Sequence, residues 1–193
     1  MMKIVDYCLF LLKVSNSQLI SRRYIVTNGF DAIFTMLGLN MGFYVSGEVA
    51  VELACYGSFG AGVALTMSGL TSAYISEAAE RNKSLKELEQ AMVTSLHSTS
   101  QAQVAQFIPI WIALINGLFP LLLISFITAP LWLTLLQWFI FAQPIGSTII
   151  LSLLSLFMLG VYAGSISGTA KLWSGVRTLL IGVTIAIIVL VLT

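Results

Sequence analysis

Five long apolar stretches constrain this chain more than any other feature. They cover residues 24–45, 49–72, 107–126, 145–163 and 176–192. Each is long enough to cross a hydrocarbon core of about 30 Å; at about 1.5 Å rise per residue the first reaches about 33 Å. Charged residues make up only 9% of the chain, against about 25% in a soluble domain. Mean hydropathy is +0.97. These features exclude a soluble enzyme, a disordered tail and a disulfide scaffold. A net charge of +1 is too small for a nucleic-acid footprint. The expected fold is all-α: a polytopic membrane protein with five transmembrane helices, forming a single transmembrane domain over residues 1–193.

The cations orient it. Lys3, Lys13, Arg22 and Arg23 precede the first span, Arg81, Lys83 and Lys86 separate the second from the third, and Lys171 and Arg177 separate the fourth from the fifth. Five spans place all nine basic residues on one side, as expected of cytoplasmic loops. The N-terminus is then cytoplasmic and the C-terminus outside. Residues 1–21 read as an amphipathic helix on the membrane surface, because Asp6 and Lys13 break the apolar run and no small-residue cleavage site follows. The segment from Pro130 to Pro144 is too short to cross upright; it reads as interfacial or re-entrant, or as an extension of the fourth span. Residues 77–106 form a short cytoplasmic loop. Within it Ser84-Leu85-Lys86-Glu87 is a capping box, predicting a separate amphipathic helix from Leu85 to Leu96.

Asp31 is the residue that suggests a function. It lies about 10 Å into the first span, where an ionised carboxylate costs about 2.5–3.5 kcal/mol on insertion scales. Such a group must be protonated, face a wet cavity or bind a cation, and titration between those states is what a proton-coupled cation carrier needs. The alternative is a protonated Asp bonded to a neighbouring helix. Asn28, Asp31 and Thr35 form a polar stripe at helical spacing, with Asn40 and Met41 further along. Carboxylate, amide oxygen and thioether together suit Fe²⁺ or Mn²⁺ better than Mg²⁺, although each Met taken alone is ordinary packing. Glu48 and Glu52 share a face at the outer end of the second span, as cation collectors or as a solvated helix start. Glu77, Glu80 and Glu87 would share a face if one helix continued through them, and that face would suit a divalent ion; the intervening Arg81, Lys83 and Lys86 favour a solvated charge run. His97 has no partner in the sequence. Cys8 and Cys55 read as small buried hydrophobes.

Gly38-x-x-x-Gly42 and Gly160-x-x-x-Gly164-x-x-x-Gly168 allow close helix contacts, within a subunit or across a dimer. Pro120, after Asn116-Gly117, frees carbonyls inside the third span. An odd span count makes a symmetric homodimer with paired Asp31 residues the expected assembly. Neither GxSxG, HExxH nor a P-loop occurs, so no enzymatic activity and no resident cofactor are expected.

The run from Arg23 to Gly42, Arg-Tyr-Ile-Val-Thr-Asn-Gly-Phe-Asp-Ala-Ile-Phe-Thr-Met-Leu-Gly-Leu-Asn-Met-Gly, resembles the opening helix of the vacuolar iron transporter family. Asp31 matches the family's metal-path Asp, and Met41-Gly42 its Met-Gly pair. Tyr74-Ile75-Ser76, Gly117-Leu118-Phe119-Pro120-Leu121, Leu156-Phe157-Met158-Leu159-Gly160 and the segment from Ser174 to Gly182 resemble pieces of the later helices. The family's Ser-Met and Gly-Glu-Tyr of helix two are here Ser68-Gly69 and Ser72-Ala73-Tyr74, so the Met and Glu are missing. The short loop is similar to that of the nodulin-like branch. The resemblance implies a dimeric five-span carrier exporting Fe²⁺ or Mn²⁺ from the cytoplasm in exchange for protons. The candidate metal residues are Asp31, Asn28, Thr35, Met41, Glu52, Glu77 and Glu80; the competing expectation is a non-transporting membrane scaffold that kept the fold.

Overall fold

The computed structural model describes residues 17–47, 49–96 and 99–192, and among these the only regular elements are five α-helices. They are α1 (Ser17–Val45), α2 (Val51–Met92), α3 (Ser100–Leu135), α4 (Pro144–Ser167) and α5 (Lys171–Leu192). Helices α2 to α5 are each long and apolar enough to cross a membrane. Helix α1 falls outside that set, its 29 residues diluted by Arg22, Arg23, Asn28, Asp31 and Asn40. Cys8, Glu48 and His97 lie outside the described residues, as does the expected interfacial helix up to residue 16; Ser17–Ser21 belong to the first turns of α1.

Two boundaries differ from those read in the sequence. Helix α2 runs unbroken for 42 residues, about 63 Å and twice the hydrocarbon thickness. Ser84 is therefore inside a helix rather than capping one, and no separate helix spans 85–96. Once a helix has nucleated, each further residue adds a bond without a new nucleation cost, so the capping signal is overridden. The helix stops at Met92, where Val93 takes φ 50° and the Leu96 amide donates to Glu89 Oε1 at 2.8 Å. Helix α3, 36 residues long, passes through Pro109, Pro120 and Pro130. Residues 131–135 are thus the end of the third helix, not an extension of the fourth, and residues 136–143 form turns and bends between the two. Pro144 then opens α4 at its first turn, where its missing N–H costs nothing.

The chain forms two compact units. One joins the start of α1, through Ile25, to Thr66–Leu118. One buried apolar cluster in it joins Ala73 of α2 to Ile108, Ile112 and Ala113 of α3, flanked by Ile20 and Tyr24. The other joins Val26–Leu65 to Phe119–Thr193. Here Ile33, Met36 and Leu37 of α1 pack with Ile124 and Ile127 of α3 and Leu156 and Leu159 of α4. A second cluster joins Ala54 and Cys55 of α2 to Leu131 of α3, with Phe43 and Ile145 packed against it.

Helices α4 and α5 pair through small residues. A Cβ at Gly160 would collide with the Thr178 hydroxyl and lie 3.0 Å from Gly175 Cα; one at Gly164 would lie 2.7 Å from Ser174 Cβ. The Thr178 hydroxyl lies within bonding distance of the Leu156 carbonyl across this contact, 2.9 Å away. Gly168, the third glycine of the expected packing series, does a different job. It ends α4 in the left-handed region, at φ 71°, and donates its N–H to the Gly164 carbonyl.

Candidate functional site

Asp31 stands at the midpoint of α1, with about 21 Å of helix on either side. Its side of α1 is open: Asp31 and Thr35 are exposed, and Asn28 is half-buried one turn earlier. The Thr35 hydroxyl donates to the Asp31 backbone carbonyl at 2.7 Å, leaving its oxygen lone pairs available. One and two turns further on, a Cβ at Gly38 or at Gly42 would meet nothing within 4 Å. The opposite side, Ala32, Ile33, Met36, Leu37 and Met41, is buried in the apolar core. The helix therefore gives its large apolar side chains to the interior and its carboxylate, hydroxyl and small residues to the outside. Met41 belongs to the interior set, so its thioether packs among core side chains while Asp31 lies on the open face.

Glu52 is exposed in the first turn of α2, where the partial positive charge of the helix start favours a carboxylate. It stands on a different element from Asp31, and Glu48 lies outside the described residues.

The glutamates at positions 77, 80 and 87 fall in the other unit. Because α2 continues through them, Glu77, Glu80 and Glu87 do share one helix. Glu77 is buried and pairs with Arg81 Nε at 3.6 Å, whereas Glu87 pairs with Lys83 in the open at 3.9 Å. Glu77 and Glu80 line a cleft of about 840 Å³ with Arg23, Arg81, Ser100 and Gln101. Two carboxylates face two guanidinium groups there, so the formal charge of the cleft cancels. The charge of Glu77 is already compensated within its own helix.

Asn116 makes an interhelical bond that its sequence position did not reveal. Its amide donates to the Gly69 carbonyl of α2 at 2.8 Å, and a Cβ at Gly69 would lie 2.9 Å from the Asn116 backbone oxygen. Gly69 and Gly117 are what let α2 and α3 approach this closely. Only the Asn-Gly pair inside an apolar run, with a proline four residues after the Asn, marks the spot in the sequence.

Among the described residues no three His, Cys, Asp or Glu side chains come together as a metal-ligand group. Asp31, Thr35 and Asn28 are thus the expected site residues that the fold gathers on one stretch of helix; Glu52 and the Glu77–Glu80 pair stand elsewhere. The chain matches no known family model, no curated protein and no solved structure.

Proposed function

We propose that this protein is a multi-pass membrane transporter that exports a divalent transition metal, Fe²⁺ or Mn²⁺, from the cytoplasm in exchange for protons, and that it works as a homodimer. One observation carries the reading: a carboxylate at the midpoint of α1 on a face that nothing else in its unit covers. Against lipid, an ionised Asp at helix centre costs about 2.5–3.5 kcal/mol. A second copy laid over Asp31, Thr35, Gly38 and Gly42 would replace lipid with a polar, two-sided passage and bring two carboxylates to one ion.

In this reading α1 is the fifth crossing. Its lower apolar content is what a helix needs when its large side chains face other helices rather than lipid. Asp31 exchanges a proton for the metal, while Asn28 and Thr35 offer neutral oxygens beside it; Glu52 and Glu80 stand as collecting groups at the ends. The test is Asp31→Asn in proteoliposomes. Metal-driven proton flux should vanish while the oligomeric state stays unchanged. Flux equal to that of the unaltered protein would refute the assignment.

A scaffold without transport has one observation in its favour: Ala73, where the resembled family carries a Glu, is buried against Ile108 and Ile112. Calorimetric titration of Mn²⁺ into the purified protein separates the readings, because a scaffold gives no saturable heat.

A further inference from the structure

The unit containing most of α1 holds a polar layer between its two apolar clusters. On α1, Asn40 lies three residues beyond Leu37 of one cluster and three before Phe43 of the other. On α2, Ser58 has the same relation to Cys55 and Ala61, and on α3 Thr128 falls between Ile124 and Leu131. On α4, Thr148 and Ser152 fall between Ile145 and Leu156. Residues three and four apart share a helix face, so four helices bring polar side chains to one level of the interior. All five are buried, Asn40, Ser58, Thr148 and Ser152 at 0% exposure.

The layer holds more acceptors than free donors. The Asn40 amide donates to the Met36 carbonyl at 2.8 Å. The hydroxyls of Thr128, Thr148 and Ser152 donate to carbonyls of their own helices at 2.7–2.8 Å. Those four hydrogens are committed; the second Asn40 amide hydrogen is not. Asn40 Oδ1 and Ser58 Oγ are buried with no hydrogen-bond partner among the described residues. A buried oxygen without a donor is costly, and here the lone pairs of five side-chain oxygens outnumber two free hydrogens, one on the Asn40 amide and one on the Ser58 hydroxyl.

We propose that this layer binds a monovalent alkali cation. A cation satisfies lone pairs that have no donors. The donor set selects its class: uncharged oxygens alone suit a hard ion. The lack of a carboxylate among them disfavours a dehydrated divalent ion, whereas amide and hydroxyl oxygens and carbonyls suffice for Na⁺ or K⁺. The site is separate from Asp31, which faces out of α1, and does not depend on the transport reading.

The experiment measures thermal unfolding of the full chain in detergent, in NaCl, KCl or choline chloride at matched ionic strength. The expected result is a saturable rise in midpoint with Na⁺ or K⁺ and not with choline, on the order of 5 °C at a hundredfold excess over Kd. Asn40→Leu and Ser58→Ala should each abolish the rise, and Asp31→Asn should keep it. Should Asn40→Leu fail to fold, Ser58→Ala, which deletes one atom, and direct ²²Na⁺ binding decide. Equal midpoints in all three salts would mean that the layer holds water or nothing, and would overturn the proposal. So would a cation-specific rise that survives in Ser58→Ala. Undiminished metal flux in Asp31→Asn with the Na⁺ effect intact overturns the transport reading alone, and flux lost in Asp31→Asn with no Na⁺ or K⁺ effect in the unaltered protein overturns the cation site alone.

Discussion

Replacing Gly160 by Ala tests how α4 and α5 are held together. The added methyl would be driven into the Thr178 hydroxyl, with Gly175 Cα and the Ser174 carbonyl oxygen each 3.0 Å away. Two of these obstacles are backbone, and the third lies at bonding distance from the Leu156 carbonyl, 2.9 Å away. The helices must separate. Overpacking of this kind costs about 1–3 kcal/mol, and an interhelical hydrogen bond in a membrane bundle adds about 0.6 kcal/mol when lost. Alanine returns up to about 1 kcal/mol of helix propensity. The net destabilisation is therefore about 0.6–2.6 kcal/mol. Gly60→Ala is the control, because a Cβ there meets nothing within 4 Å and only the propensity gain remains. Unfolding by sodium dodecyl sulfate in mixed micelles, followed by circular dichroism, should separate the two variants by about 1.6–3.6 kcal/mol. Adding Thr178→Ala should recover part of the loss at position 160, since it removes the nearest obstacle. Equal stabilities for Gly160→Ala and Gly60→Ala would refute the packing argument.

Three further outcomes are expected. Arg81→Leu leaves the buried Glu77 carboxylate unpaired and should cost about 3 kcal/mol in the same unfolding assay, most of it recovered by adding Glu77→Gln; Lys83→Ala, which breaks an exposed pair, should change stability by less than about 0.5 kcal/mol. Gly42→Leu fills a face that is open within the chain, so it should leave the unfolding free energy within about 0.5 kcal/mol while, under the proposed homodimer, lowering the dimer fraction in light scattering. Gly168→Ala forces a Cβ into the left-handed region at φ 71° and should cost about 1 kcal/mol, read as a lower thermal midpoint.

The helices were legible because apolar length is a direct physical requirement of crossing a bilayer, and no tertiary contact can cancel it. Their ends were less so. The capping box at Ser84 is a local signal worth about 1 kcal/mol, too little to interrupt a helix already propagating from Val51. Pro130 would mark a boundary in water, where a broken helical bond faces solvent; in a membrane helix neighbouring groups absorb the defect, and α3 runs on to Leu135. Gly168 looked like a packing residue because its spacing fits, but spacing cannot tell a contact from a cap. Asp31 was conspicuous by its cost in an apolar run. Asn40, Ser58, Thr128, Thr148 and Ser152 were not seen as a set, since each is unremarkable within its own helix and only their common level relates them.

Helix α1 is what ties the site to the fold. A lone helix carrying Asn28, Asp31, Thr35 and Asn40 would be a poor candidate to enter lipid. In this chain Ile33, Met36 and Leu37 are consumed by contacts with α3 and α4, so the exposed positions around the middle of α1 are Thr27, Asp31 and Thr35. Polar surface at the middle of a membrane helix is stable only where water, an ion or another protein surface meets it. Gly38 and Gly42 remove the side chains that would hold such a partner at a distance. A carboxylate that is costly against hydrocarbon and a strip of backbone that can be closely approached therefore occur on one face, and in the proposed homodimer the second copy that shields Asp31 would bring its own Asp31 across from it.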